Sequence, residues 1–146
     1  MDPQGADAQQ LAERVRDGMF PKDAAAHALG MRVASISPGH ASVVMVVRTD
    51  MLNGFGLCQG GLICTLADMA FAYACNSYNE TTVASGFDVD LLASARLGDR
   101  LTASAAVVSQ AGRLGLYDVQ VRNQSEDLVA VFRGRSYRIK GKPVVA

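Results

Sequence analysis

The stretch Gly60–Ser77, GGLICTLADMAFAYACNS, decides the fold. It reads as one long helix, and apolar residues occupy every side of it rather than a single stripe. A helix at a protein surface cannot be built that way, so this one has to be enclosed. A sheet wraps one side, but a curved sheet of about five or six strands cannot close around a helix. A second subunit is the natural cover for the rest. Ala67, Ala70, Ala72 and Ala74 keep the helix surface low enough for a close approach.

Two features interrupt this apolar segment. Asp68 is its only charge, and no Lys or Arg lies one turn away to neutralise it. A carboxylate in such a place is either satisfied at a wet rim or used as a base or nucleophile, and the missing partner favours use. The second feature is the helix start, Gly60-Gly61. Glycines there leave first-turn N–H groups open to a ligand carbonyl, at the positive end of the helix dipole. Gly61 and Asp68 share a face but stand about 10 Å apart along the axis, too far to address one carbonyl. Two such helices packed antiparallel about a twofold axis bring Asp68 of one beside Gly61 of the other, giving two shared sites per dimer.

Outward from this helix, the chain reads as a single domain spanning 1–146, with a helical segment at 1–29 and a core at 30–140. A helix begins near Ala6, carries Leu11, Val15 and Met19 on one stripe, and meets a stop signal at Gly18. A short helix covers Lys22–Leu29. Met31–Ser37 and Ala41–Arg48 form a hairpin around Pro38-Gly39. Beyond the long helix come strands at Thr81–Leu92, Leu101–Ser109, Leu116–Arg122 and Leu128–Ile139. The last three are joined by turns at Gln110–Arg113 and Asn123–Glu126. The class is α+β with a mainly antiparallel sheet.

Composition excludes several functions. Lys+Arg and Asp+Glu both number 14 in 146 residues, so no basic excess exists to displace counterions from nucleic acid. A hydrophobic fraction of 49% excludes global disorder, and 6% aromatics with no Trp predicts a core of Ala, Val, Leu, Ile and Met. The start MDPQGADAQQ has neither a basic nor an apolar region, and the most apolar stretch is short and carries Asp68, so neither a secretory signal nor a membrane span is expected. Cys58, Cys64 and Cys75 form no C-x-x-C and read as reduced cytoplasmic thiols. His27 and His40 lie far in sequence from the helix, which argues against a Ser-His-Asp triad. No metal-ligand spacing and no dinucleotide motif is present. Arg113, Arg133, Arg135 and Arg138 read as the solvated face of strands, with grip on phosphates as the other reading.

The run from Met51 to Ser77, MLNGFGLCQGGLICTLADMAFAYACNS, closely resembles the core of PaaI-type hotdog-fold acyl-CoA thioesterases of phenylacetate breakdown. The resemblance extends through Val83-Ala-Ser, Gly98-Asp99, Tyr117-Asp118 and Ala130–Ser136, covering about Leu29 to Ile139. It implies a hotdog fold, a long helix wrapped by a curved antiparallel sheet, dimerised into a continuous sheet and assembled into tetramers. It implies that Asp68 is the catalytic carboxylate, that Gly60 or Gly61 presents its N–H to the thioester carbonyl, and that Asn53 positions the reacting end. The family's usual His-Gly-Gly is Gln59-Gly60-Gly61 here; Gln donates a hydrogen bond but does not titrate near neutrality. Leu91–Arg96 replaces an F-L-R-P-like segment.

The resulting expectation is hydrolysis of phenylacetyl-CoA or its ring-hydroxylated relatives in the cytoplasm. CoA is then part of the substrate rather than a cofactor, no metal is used, and Arg113 and Arg135 meet its phosphates. The rivals are a non-catalytic acyl-CoA-binding subunit and, below it, a hotdog hydratase or dehydratase, which would want a His beside Asp68.

Overall fold

The computed structural model describes residues 3–146; Met1 and Asp2, where the reading of the N-terminus begins, lie outside the described residues. Helix α1 runs Pro3–Met19, α2 Ala24–Ala28 and α3 Gly60–Asn76. The strands are β1 Arg32–Ser37, β2 His40–Val46, β3 Thr82–Leu91, β4 Arg100–Ala111, β5 Leu114–Arg122 and β6 Leu128–Arg138. They form one six-stranded sheet in the order β1-β2-β4-β5-β6-β3, every neighbouring pair antiparallel. This is the hotdog arrangement that the resemblance implied, without any parallel pair.

The sheet wraps α3 on one side, where Ile63, Leu66, Ala67, Ala70, Phe71 and Ala74 are buried. Gly61, Cys64, Thr65, Asp68 and Ala72 remain partly or fully exposed. Their spacing of three, four and seven residues places them on one stripe. A helix apolar on all sides is therefore covered on only one side within the chain.

The core is built mainly of Ala, Val, Leu, Ile and Met, as expected, with four aromatics set into it. Phe71, Tyr73 and Tyr117 are among its largest fully buried side chains, and Phe132 joins them at 2% exposure. Three of them meet where α3 crosses β5 and β6: the Phe71 ring lies 5.6 Å from Tyr117 and 5.8 Å from Phe132. Edge-to-face geometry lets a scarce residue type fill the widest gap. Gly134 of β6 faces this cluster, and a β-carbon there would stand 2.8 Å from the Phe71 ring.

The N-terminal segment is tied to α3 by Asp23. Its Oδ1 accepts from the Ala26 N–H at 3.2 Å, capping α2, while its Oδ2 accepts from the Tyr73 hydroxyl at 2.9 Å. Burial, first, and then the Asp23 carboxylate push the Tyr73 phenol well up. In α1 the fully buried residues are Ala12 and Val15, with Leu11 and Met19 only partly covered. Gly18 does not stop the helix, which continues to Met19. Its missing side chain admits Val145, whose Cγ1 would meet a β-carbon there.

Two loops share one backbone design. In 123–127 the Asn123 Oδ1 accepts from the Ser125 and Asp127 N–H groups, both at 3.0 Å. The Asn123 N–H donates to the Asp127 carbonyl at 3.1 Å, and the Glu126 N–H to the Asn123 carbonyl at 3.0 Å. The loop 53–57 repeats every one of these bonds around Asn53. The left-handed position is Glu126 (φ 64°) in one and Gly56 (φ 74°) in the other.

The packing at Gly134 sets a measurable expectation. Gly134→Ala forces a methyl against a rigid ring and lowers stability by about 1–3 kcal/mol. Gly54→Ala, where nothing lies within 4 Å, changes it little. Urea unfolding of the two variants distinguishes packing from a general intolerance of glycine replacement.

Candidate active site

The loop 53–57 delivers the chain to the start of α3. Asn53 holds it: its Oδ1 accepts from the Phe55 N–H at 2.9 Å and the Leu57 N–H at 3.1 Å. The Cys58 N–H then donates to the Ala95 carbonyl, and the Gln59 N–H to the Met51 carbonyl, each at 2.8 Å. These bonds clamp the loop between the turn before it and the segment after β3. Gln59 takes an extended conformation (φ −56°, ψ 127°), and its exposed side chain does not cap the helix. Among the described residues no carbonyl accepts the Gly60 and Gly61 N–H groups. They are the orphan donors of an uncapped helix start, carrying the positive end of its dipole.

The two glycines serve different ends. A β-carbon at Gly60 would stand 2.5 Å from Leu91 Cδ1, so Gly60 lets Leu91 lie across the helix start. Nothing lies within 4 Å of the same position at Gly61, which opens on the bare side of α3. Beside this start is a cavity of about 290 Å³ lined by Asn53, Leu57, Cys58, Gly60, Leu91 and Leu92, among others. Gln59 flanks it in sequence. The structure thus brings Asn53, Gln59, Gly60 and Gly61 together.

Asp68 lies on the same exposed stripe as Gly61, seven residues on, which in a continuous helix is about 10 Å. It makes no hydrogen bond or ion pair with any described residue. Burial pushes its carboxyl above the ordinary 3.8. A half-buried, unpartnered carboxylate with raised basicity is suited to take a proton or attack a carbon. The nearby thiols are not. Burial raises both Cys58 and Cys64, and the Asp68 charge adds to the rise at Cys64. Thiols held protonated are poor nucleophiles.

Arg113 and Arg135 lie elsewhere in the chain. Arg135 alternates along β6 with Gly134, which faces Phe71, so it projects from the opposite face of the sheet. There its Nη1 pairs with Asp88 Oδ2 at 2.8 Å. Arg113 sits in the β4–β5 turn, its Nη1 donating to the Tyr137 hydroxyl at 3.0 Å. That turn adjoins Arg138, opposite Thr82, whereas the cavity adjoins Leu91 at the other end of β3. The intervening strand is about 30 Å long. His27 and His40 are spent on nearby backbone carbonyls, those of Phe20 at 2.8 Å and Pro38 at 3.0 Å.

The cavity wall formed by Leu91, Leu92 and Ala95 belongs to the segment that the resemblance marked as replacing an F-L-R-P-like one; the residues alone did not point to it. The wall depends on the Cys58–Ala95 bond and on a bridge between Leu57 and Arg96, pairings between distant segments that leave no local pattern. Apart from the resemblance, the signal was the run of apolar residues continuing past the end of β3.

Comparison with known proteins bears on this arrangement. The family model described as Thioesterase superfamily matches residues 55–130. The acyl-coenzyme A thioesterase PaaI of Escherichia coli is 47% identical over 123 residues, covering 84% of this chain and 88% of that protein. The solved structure of the E. coli PaaI protein, from the phenylacetic acid degradation operon, superimposes with a TM-score of 0.90 at 44% identity, over 92% of this chain and 97% of that one. A variant of the phenylacetic acid degradation protein PaaI from Thermus thermophilus gives 0.75 at 36% identity, over 78% and 97%. A Streptococcus mutans protein solved bound to acetyl CoA gives 0.74 at 27% identity, over 77% and 90%. On the extent of these matches, the chain belongs to the thioesterase superfamily, in its PaaI-type hotdog branch.

Proposed function

We propose that this chain is an acyl-CoA thioesterase that hydrolyses phenylacetyl-CoA or ring-hydroxylated phenylacetyl-CoA to the free acid and CoA. One observation carries the reading: an unpartnered carboxylate, Asp68, shares the bare stripe of α3 with the uncapped N–H groups at Gly60 and Gly61. The acyl-coenzyme A activity in the name of the E. coli relative supports it, and so does the acetyl CoA bound to the S. mutans one.

In this reading the Gly61 N–H holds the thioester oxygen and strengthens its bond as negative charge develops there. Asn53 keeps the loop in place, and Gln59 offers amide protons to the same side of the site. Asp68 of a second subunit either attacks the carbonyl carbon, expelling CoA as a thiolate and leaving an acyl-enzyme anhydride that water then cleaves, or takes a proton from the water that attacks. CoA departs as the leaving group, and no resident cofactor or metal enters. Arg113 and Arg135, placed as they are, reach the CoA phosphates only from across a subunit boundary.

The bare stripe calls for a homodimer, and pairing of dimers into a tetramer follows the family's habit. Strand β3 supports the pairing: it is a sheet edge on which Val83, Phe87 and Leu91 are 47%, 41% and 52% exposed. Such an edge invites a second copy. No described helix is long and apolar enough to cross a membrane, and Cys58, Cys64 and Cys75 are unpaired thiols, which supports placing the protein in the cytoplasm.

Asp68→Asn keeps the size of the side chain and removes both nucleophile and base. Single-turnover release of CoA is expected to fall by about 10²-fold or more, with little change in acyl-CoA affinity. A variant that hydrolyses at the parent rate excludes Asp68 from the chemistry. A parent that binds acyl-CoA without releasing CoA selects the binding-subunit alternative, whose basis is Gln59 in place of a histidine.

The raised carboxyl also links to stability. Above its ordinary 3.8 an unfolded Asp68 is ionised while the folded one still holds its proton, so stability falls as pH rises through that window. Asp68→Asn is therefore expected to be more stable than the parent at neutral pH, with the difference closing as pH drops below 3.8. Urea midpoints taken from neutral to acid pH read this directly; a variant less stable at neutral pH contradicts the geometry of an unpartnered carboxylate.

A further inference from the structure

Phe55 is 90% exposed, more than any other large apolar side chain named among the exposed ones. It stands at the tip of the loop 53–57, whose legs, Asn53 and Leu57, line the cavity at the start of α3. The loop is not loose: the Phe55 N–H is itself one of the two donors to Asn53 Oδ1.

The protein contains its own control for this loop. The backbone of 123–127 carries the same set of hydrogen bonds, and its tip is Gln124-Ser125-Glu126, as a solvated turn should be. The corresponding tip at the site is Gly54-Phe55-Gly56. Gly56 takes the left-handed position at φ 74°, which glycine adopts without strain and which Glu126 fills in the other loop. Gly54 holds no such position, and nothing lies within 4 Å of where its β-carbon would be. The backbone design therefore does not call for a ring at the tip or for glycine before it. Together they leave an aromatic ring open at the tip of the loop that leads into the helix start, at a cost in exposed apolar area that the other loop avoids. In the cavity that this loop borders, Leu91 and Leu92 are 52% and 57% exposed, so its wall is apolar as well.

We infer that Phe55 is a specificity-determining residue: its ring packs against the acyl group of the thioester and favours aromatic over short aliphatic acyl chains. The inference rests on the proposed thioesterase function and adds to it the residue that reads the acyl group. Phe55 lies in the loop that leads into Gly60, and the two legs of that loop, Asn53 and Leu57, line the cavity at the helix start, so a substrate whose carbonyl is held there by the Gly60 and Gly61 N–H groups passes the loop that carries the ring. An acyl group bonded directly to that carbonyl is the nearest apolar part of the substrate, and an aromatic one gains ring-on-ring contact as well as burial.

The test compares the parent with Phe55→Ser, which installs the residue found at the same place in the other loop, and with Phe55→Tyr. Phenylacetyl-CoA and acetyl-CoA are the substrates, and the readout is the ratio of their kcat/KM values. Phe55→Ser is expected to lower the ratio about tenfold through the KM for phenylacetyl-CoA, the size of one aromatic contact. Phe55→Tyr should retain the parent ratio, and thermal midpoint and sedimentation should match the parent in both. Three outcomes overturn the inference: an unchanged ratio, an equal rise in KM for both esters, which places the ring on CoA, or dissociation of the oligomer, which makes Phe55 a subunit contact. Equilibrium binding of the two esters reads the same ratio in a protein that releases no CoA. Failure of the function is thus separable from failure of the role given to Phe55.

Discussion

Everything at the candidate site depends on one constraint: α3 is apolar on all sides, and its own sheet covers only one of them. The covered side is ordinary core, closed by the aromatic cluster of Phe71, Tyr117 and Phe132. The other side carries the two groups able to do chemistry, the free N–H groups at its start and the carboxylate two turns on. Within one chain they cannot meet. A rigid helix holds them about 10 Å apart, and no rotamer of an Asp side chain spans that gap. In the proposed shared site, the need to cover the stripe and the need to bring the two groups together have the same solution, a second copy running antiparallel.

The same constraint explains why the helix start is built as it is. A conventional N-cap would occupy the first-turn donors with a Ser, Thr or Asp side chain and gain about 1 kcal/mol of stability. Here Gln59 takes the capping position without capping, and the loop before it is stabilised by Asn53 and by the Cys58–Ala95 bond instead. The rigidity comes from the neighbourhood of the donors, while the donors themselves stay unused. Asp68 follows the same pattern, since a salt bridge would stabilise it and would also lower the basicity that burial raises.

Much of this was legible in the sequence, for local reasons. The limits of α3 follow from Gly60-Gly61 at one end and loss of the apolar run at the other, and the strand segments follow from β-branched runs between turn residues. The singular charge at position 68 needs no neighbour to be noticed. What was not legible is set by contacts between distant segments. β3 passes to the far edge beside β6, which no periodicity announces. Gly18, read as a stop, answers to Val145 at the other end of the chain. Phe71, Tyr117 and Phe132, far apart in sequence, meet in one cluster within an otherwise aliphatic core. Arg135 reads from sequence as the solvated face of a strand or a grip on phosphates, and its pairing with Asp88 at 2.8 Å arises only because β3 lies beside β6. Phe55 passed as one residue of a glycine loop, and only comparison with the loop at Asn123 shows that the backbone did not ask for it.

The shared site is the central claim, and mixed oligomers test it most directly. Asp68→Asn removes the carboxylate. Gly61→Pro removes one donor at a first-turn position where proline is tolerated and where nothing lies within 4 Å. Each variant alone should be nearly inactive. When equal amounts are unfolded together and refolded, random pairing leaves one intact site in each mixed dimer, so about a quarter of the parent activity per chain should return. If the carboxylate and the helix start of one chain served the same carbonyl, every site in the mixture would lack one of them and no activity would return.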